Sequence, residues 1–354
     1  MYRNTYALIN LKNISHNIKL LTTKLEDYKY FIAVVKADCY AHHDIKVIKT
    51  MINNGINYLA VATLDEALTI RKEIKNIPIL CLGIIPSKYI KICEKNNITI
   101  TINSINYLNE VLAKNPTKLK VHIKINTGMN RLGINNSEEL NKVYSLIKTS
   151  KINLEGIYTH MYEPLNKKKT IKQFSNFEKI TKDIDLYNIK IVHLCASDAI
   201  IKYHKKPYVN GCRLGIAMYG LLNVEFDNLL PTFKVVSEVI QINKLKKNDI
   251  VGYLSSYKAK KEEYIAVVSI GYADGIIRKN KGRYVYINNK PYKIVGNICM
   301  DMLFVKVDKT IKVHDKVEII KDNNHIRQIA KYLNTNNFEV IISISKRVPR
   351  ICIE

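Results

Sequence analysis

Long apolar runs are absent from this sequence of 354 residues, and none approaches the roughly 20 apolar residues that span a bilayer. The opening segment MYRNTYALIN alternates like a strand and lacks the apolar block and small-residue cleavage site of a signal peptide. A soluble, cytoplasmic protein is therefore expected. Paired cysteines are also missing. The seven cysteines (39, 81, 93, 195, 212, 299 and 352) form no CxxC spacing, which points to reduced thiols rather than a disulfide scaffold. The histidines show no ligand spacing to them, so no zinc or other metal is expected. His42–His43 is the single adjacent histidine pair and reads as a surface position at a helix start. No GxGxxG or GxxxxGK loop follows an apolar run, which argues against a nucleotide site.

Acidic residues and arginine are scarce too. The net charge is +25, yet only nine of the 56 basic residues are arginine, the residue best suited to forked phosphate and base contacts. The longest basic run, Lys167–Lys169, has no interleaved aromatics. A basic nucleic-acid-binding protein would bind DNA with steep salt dependence. The thin spread of lysine instead reads as compositional bias, with weak polyanion binding as a side effect.

What is present is regular. Apolar runs FIAVV (31–35), YLAVA (58–62), PILCL (78–82), ITITI (98–102), KVHIKI (120–125), LEGIYT (154–159), KIVHLC (190–195) and GIAMYG (215–220) alternate with helical patterns near 13–25, 43–54, 64–75, 103–114, 137–149 and 168–187. Eight such units predict an α/β chain, a (β/α)8 barrel over residues 1–230. From 231 to 354 the texture becomes β-rich and turn-punctuated, with one helix expected near 325–333. The first ten residues or so are expected to pair with that β domain. In a barrel the loops at the C-terminal strand ends carry chemistry. Lys36, Arg131, His160 and Ser197 follow strand runs, and Arg213 precedes the last one.

An amine directly after five apolar residues is partly desolvated, which lowers its pKa and makes it a usable nucleophile. The segment FIAVVKADCYAHH around it resembles the cofactor-lysine segment of the alanine racemase family. The resemblance continues through YLAVATLDEALTIR, HIKINTGMNRLG, GIYTHM, HLCASDA, CRLGIAMYGL, SIGYADGIIR, VGNICMDM and RVPRI, in family order over nearly the whole chain. It implies a barrel plus a C-terminal β domain, and racemisation of L- and D-alanine with pyridoxal 5'-phosphate, supplying D-alanine for peptidoglycan. By resemblance, Lys36 holds the cofactor as a Schiff base and is one catalytic base. Tyr272 of the partner subunit in a homodimer is the other. Tyr40, Ser197, Gly215 and Ile216 match the phosphate cradle; Arg213 faces the pyridine nitrogen, and His160 packs near the ring. Arg131 and the partner subunit's Met300 bind the substrate carboxylate, and Lys124 matches a lysine that is carbamylated in the family.

The pattern departs at three places. Lys346 in SISKRVPR stands where the family has a phosphate-binding tyrosine, and could serve the phosphate as a point charge. Ala41, His42 and His43 replace a glycine-containing turn, which constrains the backbone. Asn126, Asn130, Ala196 and Asp198 are also unusual at their motif positions. Substrate identity therefore stays open between alanine and serine, since an apolar pocket discriminates weakly against one added hydroxyl. A same-fold decarboxylase and a non-catalytic pyridoxal-phosphate-binding protein are the other readings. The SIGYADG and VGNICMDM segments favour the racemase.

Overall fold

The computed structural model describes residues 2–42 and 45–354. Strand β1 (Tyr6–Asn10) is followed by eight strands that close into a barrel: β2 (Tyr30–Val34), β3 (Tyr58–Val61), β4 (Ile79–Cys81), β5 (Ile98–Ile102), β6 (Lys120–Lys124), β7 (Asn153–Tyr158), β8 (Ile191–Ala196) and β9 (Gly211–Leu214). All neighbours in the barrel are parallel, and β2 closes onto β9. Helices cover the outside, so the strands are buried on both faces. That is why they read as continuous apolar runs rather than as alternation. Asparagine, serine and threonine caps start the helices: Thr63 caps Leu64–Glu73 in a capping box with Glu66, and Asn136 caps Ser137–Thr149.

Two elements differ from the sequence expectation in the barrel. The run 215–220 is not the eighth strand; that strand is Gly211–Leu214, and Ile216–Tyr219 forms a 3-10 turn closed by Gly220 in a left-handed conformation. A short, fully buried apolar run has no periodicity that separates strand from helical turn. The helical pattern 168–187 breaks into Lys167–Ile180 and a short 3-10 turn at Leu186–Asn188.

The remainder is a second sheet. Its strands are β10 (Phe233–Leu245), β13 (Glu263–Val268), β14 (Tyr284–Ile287), β15 (Lys290–Val295), β16 (Leu303–Val307), β17 (Lys316–Ile320) and β18 (Arg350–Ile353), while β11 (Ile250–Val251) and β12 (Tyr257–Lys258) form a separate pair. The order β13-β16-β15-β14-β17-β10-β1-β18 includes the N-terminal strand. β1 runs antiparallel to β10 and parallel to β18. The long β10 pairs β17 and β1 along one half and β13 along the other. Besides the helix Asn323–Leu333, a second helix not expected from sequence covers Asn337–Ile342. Its residues NFEVII suit a strand, but Asn336 caps it and Phe338 packs on the Tyr40 ring at 5.7 Å. Tertiary packing outweighs local propensity there.

The seven cysteines are free, five of them buried. Among the described residues no helix is long and apolar enough to cross a membrane, and none of the His, Cys, Asp and Glu side chains groups as a metal site.

Because β1 fills the gap between β10 and β18, its inward side chains should matter far beyond their number. Ile9, fully buried in β1, should cost about 2–5 kcal/mol of stability when changed to alanine, read as a lowered midpoint in a urea titration.

Candidate active site

A cavity of about 630 Å³ opens at the C-terminal end of the barrel, where this fold gathers its loops. Lys36, Tyr40, Lys124, Arg131, His160, Ser197, Arg213, Gly215 and Ile216 all line it. The sequence-derived set thus comes together from five different strand ends. Ala196 and Asp198 line the wall, as do Phe338 and Ile342 from the unexpected helix.

Lys36 opens an unusual piece of backbone. Ala37 to Ala41 all have left-handed φ, between 51° and 63°, a conformation that costs L-residues about 1–2 kcal/mol each. The surroundings over-determine it. The Ala37 N–H donates to Glu66 Oε1 at 2.7 Å, and the Ala41 carbonyl accepts from Arg350 Nε at 2.8 Å. The Tyr40 ring is wedged between Tyr219 and Phe338. His42 is not the surface residue expected from sequence. It is fully buried, stacks on Tyr219, and bonds Tyr40 O and Thr232 Oγ1 at 3.0 Å each. Its partner in the pair, His43, lies outside the described residues. Lys346, expected at a phosphate, instead pairs with Asp38 at 3.0 Å and does not line the cavity. It braces the outer side of the same left-handed turn.

Opposite the lysine, three groups converge. The Ser197 Oγ accepts from the Gly215 N–H at 3.3 Å. A Cβ added at Gly215 would lie 3.3 Å from the Tyr40 hydroxyl and 3.5 Å from Ser197 Oγ. Glycine therefore keeps open a hollow faced by two hydroxyls and a backbone N–H, the donor set of an oxyanion.

Arg213 is sealed in, with 2% of its surface exposed. Its Nη1 donates to His193 Nδ1 at 2.7 Å and to His193 O at 2.8 Å; its Nη2 donates to Thr159 O at 2.7 Å and Leu194 O at 2.9 Å. His160 Nδ1 lies 3.4 Å from the same Nη2. Burial lowers the Arg213 pKa to about 10, still well above neutrality, so the group stays cationic. Burial, then the Arg213 charge, drives His160 down to about 3 and keeps it neutral. His193 was not anticipated from sequence. It sits mid-strand in HLCASDA, where an inward histidine carries no local signal.

Charge of one sign dominates. Among the described residues Lys36, Lys124, Arg131 and Arg213 line the cavity against a single carboxylate, Asp198, which accepts from the Asn223 N–H and side chain at 2.8 Å. Burial, then Arg131, pushes the Lys36 pKa down. The same causes, with Arg213 and Lys36 added, lower Lys124 to about 8. Arg131 sits on a loop organised by Asn126, whose side chain accepts from the Gly128 and Asn130 N–H groups and donates to Asn130 and Asn135. Such a site suits a ligand with two anionic ends.

Tyr272 and Met300 do not reach this cavity. They lie side by side on exposed loops of the β sheet, with the Tyr272 N–H on Cys299 O and the Ala273 N–H on Met300 O, both 3.0 Å. The loop is held from behind by Asp274, fully buried and gripped by both Nη atoms of Arg3 at 3.0 and 2.7 Å. Arg347 Nε adds a contact to Asp274 at 3.4 Å.

Comparison with known proteins agrees with this geometry. The alanine racemase N-terminal domain model matches residues 9–223 and the alanine racemase C-terminal domain model residues 232–352. Alanine racemase 1 of Bacillus subtilis is 35% identical across 100% of this chain and 94% of its own length. The crystal structure of alanine racemase from Bacillus anthracis with bound L-Ala-P superposes with a TM-score of 0.93 at 32% identity, covering 100% of this chain and 96% of that one. A Clostridium difficile alanine racemase in complex with cycloserine gives 0.91 at 33% identity, covering 100% and 96%. A chain matched by both domain models over most of its length, and at this identity by curated relatives, belongs to the alanine racemase family.

Proposed function

We propose that this protein interconverts L- and D-alanine with pyridoxal 5'-phosphate as cofactor, as a cytoplasmic homodimer whose product feeds peptidoglycan assembly. The observation that carries this reading is the pairing, across one cationic cavity, of a desolvated lysine with a hydroxyl-and-glycine hollow. The donor set fits the cofactor. Tyr40, Ser197 and the backbone at Gly215 and Ile216 would hold its phosphate, Lys36 would hold it covalently, and Arg213 would face its ring nitrogen. Bound there, the cofactor supplies an electron sink that acidifies the α-hydrogen of an attached amino acid.

The chain's own groups supply the rest. Racemisation needs a proton taken from one face of Cα and returned on the other. Lys36, with its lowered pKa, serves one face. Tyr272 of the partner subunit serves the other, and the exposure of Tyr272 beside Met300 supports that assignment. Arg131 fits the substrate carboxylate, for which a guanidinium offers a fork, with Met300 of the partner subunit completing that contact. Arg213 donates a hydrogen bond without surrendering its proton, which limits delocalisation into the ring and suppresses transamination. His160, held neutral, orients between Arg213 and the open side of the cavity.

Lys124 is poised for carbamylation. With a pKa of about 8, a substantial fraction is a free amine at mildly alkaline pH, and the carbamate anion would face Arg131, Arg213 and Lys36. Labelled bicarbonate should give a carbamate carbon signal that grows as pH rises through about 8 and vanishes in Lys124→Ala. No signal in the wild type would remove this assignment.

Borohydride treatment of the purified holoenzyme should fix the cofactor onto Lys36, located by peptide mass spectrometry, and L-alanine should yield D-alanine. D-serine formed in excess from L-serine would move the substrate assignment. Bound cofactor with neither product would mark a non-catalytic relative.

Sharing of sites between subunits has its own test. Lys36→Ala and Tyr272→Phe homodimers should each be inactive, and mixing them with subunit exchange should restore roughly a quarter of wild-type activity, because half the dimers then carry one intact site. No recovery despite exchange would refute the partner assignment of Tyr272.

A further inference from the structure

The polar contacts of Arg213 do not end at His193; they continue through the barrel interior to its far end. An arginine has donors only, so His193 Nδ1, 2.7 Å from Nη1, must accept. Burial, with Arg213 nearby, keeps His193 neutral, so its proton sits on Nε2. That atom is 2.9 Å from His122 Nδ1, which must accept in turn. His122, also kept neutral by burial, therefore carries its proton on Nε2, a buried donor that makes no hydrogen bond of ordinary length and faces Glu155 Oε2 at 3.6 Å. Every donor in the chain points from the cation to the carboxylate.

Glu155 is equipped to end such a chain. It is 1% exposed and accepts from Tyr58 at 2.6 Å and Thr99 at 3.2 Å, while Lys190 pairs with its other oxygen at 2.9 Å. Burial opposes its ionisation, but His122 facing it and the hydrogen bonds from Tyr58 and Lys190 outweigh that and hold it below the usual carboxylate range. Lys190 precedes β8 and is half exposed, so the chain ends at solvent on the side of the barrel away from the cavity.

The backbone is adapted to these side chains. Val121 pairs with Leu154 and His122 with Gly156, so Glu155 is the extra residue of a register shift. A second shift lies between His193 and Ala196 opposite Arg213. Irregularities of this kind re-aim side chains. Gly156 is obligatory for the same reason: a Cβ there would lie 2.6 Å from His122 Cε1 and 2.7 Å from Ile191 O.

We propose that Glu155, acting through His122 and His193, is a positioning residue that fixes both imidazole tautomers and the guanidinium plane of Arg213. All four Nη donors of Arg213 are thereby committed to protein acceptors, and Nε–H is the donor left to face the cavity. The consequence for catalysis rests on the reading of Arg213 as neighbour of the bound ring, whereas the tautomer order does not.

The first measurement therefore uses cofactor-free protein with nitrogen-15-labelled histidine. The wild type should show His122 and His193 as single Nε2–H tautomers. Glu155→Gln cannot serve Tyr58, Lys190 and His122 as the carboxylate does, and His122 should lose its single tautomer. In the holoenzyme, with less negative charge behind it, Arg213 becomes the stronger acid toward the ring nitrogen. The ratio of transamination to racemisation should then rise several-fold, with KM for alanine little changed. Lys190→Met removes the cation that neutralises Glu155 and keeps the carboxylate, so both tautomers should persist and the ratio of transamination to racemisation should fall rather than rise, which decides the matter should Glu155→Gln not fold. A wild-type His122 protonated on Nδ1, or unchanged tautomers and an unchanged reaction ratio in the folded variants, would overturn the proposal. A normal tautomer result in a protein that never binds the cofactor would instead fault the functional reading.

Discussion

A guanidinium sealed inside a barrel can persist only if nearly all its N–H groups find acceptors, because an unpaired buried charge is among the costliest defects a core can hold. Arg213 meets that demand with three backbone carbonyls and one imidazole. The carbonyls come from β8 and from the residue just after β7, at positions where the barrel backbone is irregular rather than fully laddered. The imidazole is neutral because its surroundings are positive and dry. Much of the interior polar architecture follows from placing this one cation: His193 must accept, Tyr158 stacks on it at 4.7 Å, and the same Tyr158 ring lies under both Lys124 and Arg213 at 5.5 Å. The result is a fixed positive field at the cavity floor, established before any ligand arrives. Preorganised charge of this kind needs no reorganisation during reaction.

A second constraint is the left-handed turn after Lys36. Its strain is bearable only because separate elements hold it: Glu66 from the capping box of Leu64–Glu73, Arg350 from β18, and the ring of Phe338 from the C-terminal helix. Two of those supports belong to the C-terminal region, one in its sheet and one in its last helix. The β region thus shapes the lysine's surroundings directly, besides presenting Tyr272. Strain of this kind concentrates at functional sites and is sustained by their surroundings. It also gives Lys346 a role of its own. That lysine pairs with Asp38 on the outer side of the turn, and the hollow at Gly215 is faced by Tyr40 and Ser197 alone of the expected side chains.

The barrel was legible because parallel strands covered on both faces leave long apolar runs, and because the rim positions carried polar residues at strand ends. Nine of the expected site residues meet in one cavity for that reason. What escaped detection shares one cause. Positive φ at Ala37–Ala41 has no glycine to announce it. The helix Asn337–Ile342 is too short for periodicity and too β-branched for propensity. His122, His193 and Glu155 are inward residues at bulges, where the alternation that would assign a face breaks down. Burial of His42 against Tyr219 likewise depends on a partner 177 positions away. Each of these is set by contacts remote in sequence, which no local pattern encodes.

The N-terminal strand ties these constraints together. β1 pairs with β10 and β18, so the chain begins in the second sheet and only then enters the barrel. Arg3, just before β1, grips Asp274 beneath the Tyr272 loop, while Arg350 in β18 reaches the turn that follows Lys36. One sheet therefore supports two side chains that the fold does not bring together: the lysine in the barrel cavity and an exposed tyrosine facing outward. In the homodimer proposed above, a second copy of the same surface would be the complement for that tyrosine, because an isologous arrangement lets each chain supply what the other's cavity lacks. On this view the Asp274–Arg3 pair, with the carboxylate buried and the guanidinium part-exposed, serves less as a source of stability, since such pairs contribute little net, than as a fixed mount. It grips from behind the loop on which the exposed Tyr272 stands.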